Sequence, residues 1–214
     1  MEESRHRRAL TGSDMRRMRI PKRYWSVTFD DISESVIDGK SAKDLARDYI
    51  LSASENVANG VGLMLWGPNG TGKTSMAVVI AKELRRQFHA VLFVQASALR
   101  GSVISNEMFD DQETLWQRAC SVAVLVIDDL GKGTQDKTGF GERMIDDLIR
   151  ARNSNQLVTI ITTNMSVKGE NNALSTSLKA STMHSLKEHV VPVRVAGGNK
   201  RVKARIQVES ENRV

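Results

Sequence analysis

The residues best suited to chemistry form the loop GPNGTGKT, which fits the pattern G-x-x-x-x-G-K-[ST]. Its glycines allow the backbone to wrap so that several N–H groups converge on phosphate oxygens. Lys73 is positioned to reach the β- and γ-phosphates of a nucleoside triphosphate, and the Thr74 hydroxyl to bind Mg²⁺. The predicted phosphate-binding residues are Gly67, Pro68, Asn69, Gly70, Thr71, Gly72, Lys73, Thr74 and Ser75.

Two adjacent carboxylates follow a later apolar run in the stretch VLVIDDLG. In open α/β folds, ligands bind at the carboxyl ends of the strands, which is where this run would deliver Asp128 and Asp129. Asp128 is predicted to hold Mg²⁺ through water, so that Thr74 and Asp128 are the predicted metal residues. Asp129 is predicted to orient or deprotonate the water that attacks the γ-phosphate.

A third polar group, Asn164, follows the apolar run LVTIIT in the stretch ITTN. An isolated asparagine here is most simply a turn residue. Since it comes after the phosphate loop and the paired carboxylates, we expect its side chain to contact the γ-phosphate or the attacking water. The predicted catalytic residues are Lys73, Asp129 and Asn164.

Short apolar runs alternate with helical patterns along the chain, which favours a parallel sheet covered by helices on both faces. A helix is predicted to open at Ser41, with Asp44 three residues further on as a partial capping box. The fold class is therefore α/β. The predicted strands are 61–65, 90–94, 122–127, 157–162 and 189–195.

Length and composition indicate one ordinary globular domain. The 214 residues are 40% hydrophobic and 26% charged, with a net charge of +6 and a pI of about 9.6. That charge favours an acidic partner such as nucleic acid, although a solvated basic surface fits as well. The single cysteine excludes an intrachain disulfide, and no apolar stretch approaches the length of a membrane span. We therefore expect a cytoplasmic protein.

The motifs resemble those of AAA+ ATPases, in particular the compact branch of DnaC-type replicative helicase loaders and IstB-type transposition helpers. IPKRYWSVTFDDI, GPNGTGKT, VLVIDDLG, GERMIDDLIRAR and TIITTN follow one another in the family's order. In the first of these stretches, Pro21, Arg23, Tyr24 and Phe29 resemble the family's entry segment, which lies near the adenine. The resemblance implies a P-loop NTPase of the AAA+ ASCE type, with strand order 5-1-4-3-2. It also implies a homo-oligomer that assembles with ATP and Mg²⁺ around single-stranded DNA and acts on a replicative helicase.

The resemblance sets the predicted domain limits. Residues 1–20 are a basic arm, either disordered or partner-binding, 21–208 are the AAA+ ATPase domain, and 209–214 are a tail. The arm is far shorter than the N-terminal domain with which DnaC-type loaders grip the helicase. The stretch after Asn164 is too short for the helical lid of most AAA+ proteins, so no lid is expected.

Two positions matter for hydrolysis. Ser185 stands where the family places an arginine that reaches into the neighbouring subunit, and the nearby cations are Lys179 and Lys187. Since lysine lacks the planar fork of arginine, weak hydrolysis is expected. Arg201 stands where the family has a second sensor that reaches the γ-phosphate, but a solvent-facing turn residue fits this position equally well.

Several segments are candidates for nucleic-acid contact. Residues 96–112 would face the central channel in related ATPases, with Arg100 and Ser102 close to phosphate. Basic residues also cluster in the N-terminal arm and in 194–205. These patches contain no aromatic residue for base stacking, so binding there would depend on charge and weaken with salt.

Three other functions remain open. The chain is alternatively a transposition helper that binds duplex DNA and recruits a transposase. It is alternatively a small-molecule kinase, for which the sequence leaves little room for an acceptor pocket. The third is an ATP-gated interaction module with little hydrolysis, which the serine at position 185 favours.

Overall fold

A five-stranded parallel sheet lies at the centre of the computed structural model, which describes residues 8–32, 36–37, 40–110, 112–131, 139–166, 174–176 and 178–197. The strands are β3 (Gly62–Trp66), β4 (Val91–Gln95), β5 (Val124–Asp128), β6 (Val158–Thr163) and β7 (Val190–Arg194). Their order is β4-β5-β6-β3-β7. This is the predicted order 5-1-4-3-2 counted from the opposite edge, so the fold prediction is confirmed. A separate two-stranded hairpin pairs β1 (Val36–Ile37) with β2 (Lys40–Ser41).

Eight α-helices are present in the described part of the chain. They are α1 (Gly12–Arg17), α2 (Ala42–Leu51), α3 (Ala53–Ala58), α4 (Lys73–Arg86), α5 (Ala96–Ser105), α6 (Leu115–Ser121), α7 (Phe140–Ser154) and α8 (Ala180–His189). The predicted start of α2 is confirmed, because the Ser41 hydroxyl accepts a hydrogen bond from the Asp44 backbone. Among the described residues, no helix is both long and apolar enough to cross a membrane.

The sheet is buried on both faces, which explains the nearly continuous apolar strands. Side chains alternate along each strand, so Leu63 and Leu65 pack with α2 and α4, while Met64 packs with α5 to α8 on the other face. Each of β3, β4, β5 and β6 ends one residue later than predicted, whereas β7 ends one residue earlier. The reason for the later ends is that polar or amphipathic residues such as Gln95 and Asp128 still belong to the ladder at its carboxyl edge.

The N-terminal segment differs from the predicted arm. Thr11 and Asp14 form a capping box that starts α1, and Met15, Met18 and Ile20 are buried in the main core. The Phe93 N–H donates a hydrogen bond of 2.8 Å to the Met18 carbonyl, so this segment covers the open edge of β4. Residues 11–20 are therefore an ordered segment and not a disordered arm, while a partner-binding role for this segment stays a prediction. The segment is ordered because it covers β4, an edge strand whose backbone groups would otherwise be unpaired.

Asp14 fastens this segment to the body of the protein. Its carboxylate accepts hydrogen bonds from the Thr11 backbone and from Arg85, and it pairs with Arg8. The Thr11 backbone N–H, together with the Thr11 hydroxyl and the two guanidinium groups, lowers the pKa of Asp14 to about 2. The carboxylate form is therefore the form that the folded state prefers.

We expect Asp14→Asn to lower the free energy of unfolding at pH 7 by about 1–2 kcal/mol, allowing for solvent screening of the pair. Because the folded-state pKa of Asp14 lies below the ordinary value of 3.8, this stability is present above pH 3.8 and is lost as the pH falls towards 2. Urea unfolding of both proteins between pH 7 and pH 2 measures the difference, which should shrink across that window.

Asp48→Asn is the matched control, since Asp48 is exposed and pairs with the exposed Lys40. Exposed pairs contribute little, so this variant should unfold as the wild type does. An Asp14→Asn protein with wild-type stability at pH 7 would show that the segment is not held by this carboxylate.

A buried arginine ties β6 to two helices. Arg152 of α7 has no exposed surface and donates to the Thr159 hydroxyl and to the carbonyls of Ala119, Val122 and Val158. Burial lowers the pKa of Arg152 to about 9. One guanidinium thus joins α6, α7 and the start of β6.

Candidate nucleotide-binding site

A cavity of about 440 Å³ opens at the carboxyl edge of the sheet, and the predicted site residues meet there. Lys73 approaches from the start of α4, Asp128 and Asp129 from the end of β5, and Asn164 from the end of β6. The predicted residues that line the cavity are Asn69, Gly70, Gly72, Lys73, Thr74, Ser75, Asp128, Asp129 and Asn164. The structure therefore brings the loop, both carboxylates and the amide to one place.

The loop between β3 and α4 depends on glycine at particular positions. Gly67 has a φ of +145°, and a Cβ added there would collide with the Val195 carbonyl of the chain after β7. Gly72 has a φ of +94° and precedes the first residue of α4. A helix of 14 residues therefore begins at the cavity with its N–H groups towards it, an arrangement that favours an anion.

Lys73 is held beneath the loop. Its side chain is 9% exposed, and its ammonium group donates to the Gly67 carbonyl at 2.9 Å and to the Pro68 carbonyl at 2.7 Å. The Thr71 hydroxyl also donates to the Pro68 carbonyl. Phosphate oxygens are stronger acceptors for an ammonium group than neutral carbonyls are. The lysine is thus already beside the place where a phosphate chain would lie.

Asp128 is the most buried acidic group of the site, at 3% exposed. One oxygen, Oδ1, accepts from the Thr74 hydroxyl at 2.8 Å and from the Thr162 hydroxyl at 2.7 Å. Burial raises the pKa of Asp128, while the two hydroxyl donors act in the opposite direction. A desolvated carboxylate of this kind is suited to a nearby cation.

The predicted magnesium pair fits this arrangement. Thr74 and Asp128 offer hard oxygen atoms that are already in contact, and Mg²⁺ prefers oxygen ligands. In the described part of the chain, no group of three acidic, histidine or cysteine residues could hold a metal. Water and phosphate oxygens would therefore complete the ligand set, as is usual for Mg²⁺ with a nucleotide.

We expect Asp128→Asn to raise the melting temperature of the nucleotide-free protein, because the amide avoids the desolvation cost of the carboxylate. Each kcal/mol gained corresponds to about 2–4 °C for a chain of this size. Burial raises the folded-state pKa of Asp128 above its unfolded value, so ionisation of this carboxylate lowers the free energy of unfolding as the pH rises between the two values. Asparagine does not ionise, so the variant should not lose stability in this way.

Calorimetric scans of wild type and variant at pH 4 and pH 7 measure this difference. The gap between the two proteins should be wider at pH 7. A variant that melts below the wild type at pH 7 would contradict the interpretation that burial destabilises the charged form of Asp128.

Asp129 adopts an unusual backbone conformation, with a φ of +59°. Aspartate tolerates this left-handed region better than most residues do. The Asp129 N–H donates to the Thr162 hydroxyl at 2.9 Å, and the Leu130 N–H donates to the Thr162 carbonyl. The Thr162 hydroxyl in turn donates to Asp128, so one threonine binds the carboxylate of Asp128 and the backbone of Asp129.

Thr162 and Gln95 line the cavity but were not among the predicted site residues, whereas Arg23 and Tyr24 belong to the entry segment that the resemblance placed near the adenine. Arg23 and Tyr24 reach the cavity from the N-terminal segment, with the guanidinium 4.7 Å from the centre of the tyrosine ring. Gln95 is the last residue of β4 and pairs in register with Asp128. A usable signal was present, since Gln95 ends a strand as Asp128 does and Thr162 lies on the strand beside β5.

The remaining predicted positions are Asn164, Ser185, Ser102 and Arg201. The Asn164 amide donates to the Asn69 side chain at 3.3 Å, across the mouth of the cavity. Ser185 lies half-buried on α8, where its carbonyl accepts from Asn153. Ser102 is buried and its hydroxyl donates to the Leu99 carbonyl, so the expected phosphate contact by this serine is wrong. Arg201 lies outside the described residues.

Comparison with known proteins identifies the family. The family model described as "ATPase family associated with various cellular activities (AAA)" matches residues 63–181, which hold the loop, both carboxylates and Asn164. The chain belongs to this family. The AAA match agrees with the predicted P-loop and with the sheet topology.

Several solved structures have a similar fold. The crystal structure of the DnaC helicase loader has a TM-score of 0.67 and 23% identity, covering 82% of this chain and 100% of that one. A primosome component from Streptococcus pyogenes serotype M3 has a TM-score of 0.66 and 19% identity, covering 90% and 100%.

A sequence relative is the replication factor C large subunit of Nanoarchaeum equitans (strain Kin4-M), which is 30% identical over 122 residues. The match covers 56% of this AAA ATPase but only 26% of the relative. The likenesses to solved structures show the fold.

Proposed function

We propose that this protein is an ATP-dependent helicase loader. It binds ATP with Mg²⁺, assembles as a homo-oligomer on single-stranded DNA, and helps place a replicative helicase on that strand. The observation that carries the proposal is the cavity in which Lys73, Asp128, Asp129 and Asn164 meet within a fold like that of the DnaC helicase loader.

The geometry of the cavity supports ATP hydrolysis as the chemical step. Lys73 and the amino end of α4 would hold the phosphates, and the bound Mg²⁺ would lie near Thr74 and Asp128. Asp129, held in its turn by Thr162, would orient or deprotonate the attacking water. Asn164 would contact the γ-phosphate from the opposite side of the cavity.

Two observations support nucleic acid as a partner: the net charge of the chain and a solved structure with a similar fold. The net charge of +6 favours a polyanion, and the compared structures include a DnaA initiator bound to AMPPCP and single-stranded DNA. That neighbour is only 12% identical to this chain, so the likeness shows a shared fold and no more.

Slow hydrolysis is part of the proposal. The segment of α8, ASTMHSLKEH, contains no arginine, and Ser185 uses its carbonyl to bind Asn153. An arginine supplied in trans can increase the rate of phosphoryl transfer by about 10³–10⁵-fold. This observation favours a second candidate, an ATP-gated interaction module that binds ATP and turns it over very slowly.

Reconstitution with the replicative helicase of the same host tests the proposal. The protein, the helicase and circular single-stranded DNA are mixed with ATP, with ADP or without nucleotide, and helicase bound to DNA is measured after gel filtration. We expect a complex and increased loading with ATP, and neither with ADP. ATP turnover in the same mixtures separates the loader from the ATP-gated module.

Lack of an ATP-dependent complex with the helicase would contradict the proposal. A marked preference for duplex over single-stranded DNA, together with capture of a transposase, would instead favour the transposition helper. Turnover stimulated by a small acceptor and unaffected by DNA would indicate a kinase.

A further inference from the structure

The N-terminal segment creates a basic surface beside the nucleotide cavity. A second cavity of about 500 Å³ lies between this segment and β4, and it shares Arg23 and Gln95 with the nucleotide cavity. A third, of about 440 Å³, adjoins the second through Arg19. The three cavities thus follow one another along the edge of the sheet.

Five exposed cations line the second and third cavities. They are Arg16, Arg17, Arg19, Lys22 and Arg23. Asp110 is the acidic residue among the lining residues of the third cavity, and Glu107 nearby binds Arg19 at 2.8 Å. Positive charge therefore exceeds negative charge along the second and third cavities, which together we call the edge groove.

The walls of the edge groove also favour a negative ligand. Phe93 and Val94 line it but are only 2% and 3% exposed, so they contribute mainly backbone. Ala98 of α5 lies on the other wall, and the amino end of that ten-residue helix opens towards the groove and adds positive potential.

From these features we infer that the edge groove binds the phosphate backbone of single-stranded DNA, which rests on the proposed function for the type of nucleic acid. A protein partner would call for an apolar centre with aromatic anchors. The edge groove instead presents guanidinium and ammonium groups over backbone walls. The phosphodiester chain is the ligand that matches this chemistry, and its binding depends on charge and not on base sequence.

The test measures how binding depends on salt. Fluorescence anisotropy of a labelled thymidine oligonucleotide is recorded over a range of salt concentrations, with a non-hydrolysable ATP analogue present. We expect the double variant Arg17→Ala/Lys22→Ala to bind more weakly. Its slope of log K against log salt should be smaller by about 0.7 for each phosphate contact that is lost.

The matched control is Lys40→Ala/Arg47→Ala, which changes the net charge equally at two exposed residues outside the three cavities. This control should keep the wild-type slope. Affinity for the ATP analogue, measured separately, should be unchanged in both double variants and shows that each is folded.

Each further outcome has a definite meaning. Equal slopes for the wild type and Arg17→Ala/Lys22→Ala would overturn the edge groove while leaving the proposed function intact. A wild-type protein that does not bind the oligonucleotide would count against the proposed function itself. A double variant that keeps DNA binding but loses the helicase would show a protein interface and overturn the inference.

Discussion

ATP hydrolysis by Asp129→Asn is expected to be about 10²–10⁴-fold slower than that of the wild type, because a positioned general base contributes a factor of that order. ATP affinity should stay nearly unchanged, since Asp129 is not one of the groups expected to hold the phosphates. Single-turnover assays with protein in excess over labelled ATP measure the rate even if the wild-type protein is slow.

Asparagine is the informative substitution because of the backbone at this position. Asp129 has a φ of +59°, and asparagine accepts the left-handed region as readily as aspartate does. The hydrogen bond from the residue 129 N–H to Thr162 should also persist, since it comes from the backbone. Asp147→Asn, on the exposed side of α7, is the control for loss of one negative charge. Wild-type turnover by Asp129→Asn would mean that another group activates the water.

ATP binding by Lys73→Ala is expected to be about 100-fold weaker, since hydrogen bonds from a charged donor contribute up to about 3 kcal/mol. ADP affinity should fall less, because ADP lacks the γ-phosphate that Lys73 is expected to reach. Isothermal titration with each nucleotide measures both affinities. The comparison between ATP and ADP distinguishes a direct phosphate contact from general damage to the loop.

Lys40→Ala is the matched control, because Lys40 is exposed and lies outside the nucleotide cavity. Removing Lys73 also leaves the carbonyls of Gly67 and Pro68 without a charged donor. The melting temperature of each variant without nucleotide therefore has to be compared first. A folded Lys73→Ala protein with wild-type ATP affinity would show that the phosphates lie elsewhere.

The centre of the fold could be predicted from sequence because its signals are local. Each strand is a short apolar run, and the loop and the paired carboxylates follow two of these runs directly. In a parallel sheet the carboxyl ends of the strands share one edge, so the convergence of Lys73, Asp128 and Asn164 followed from their order alone.

Features that depend on distant contacts could not be predicted in the same way. The order of residues 11–20 depends on the edge of β4, although Thr11 and Asp14 gave a local sign of a helix start. Thr162 looked like an ordinary strand residue, since threonine is common in strands. Nothing in the sequence marks Arg152 as buried, since arginine is rarely buried, and its four acceptors lie in α6, in the residue that follows α6 and in β6.

The buried Arg152 has a mechanical consequence. It clamps the start of β6 to α6 and α7, while Asp146 of α7 accepts hydrogen bonds from Thr182 and Ser181 of α8. We therefore expect β6, α7 and α8 to move as one rigid body. A displacement of Asn164, which directly follows β6, would then be transmitted to α8 through the hydrogen bonds of Arg152 and Asp146.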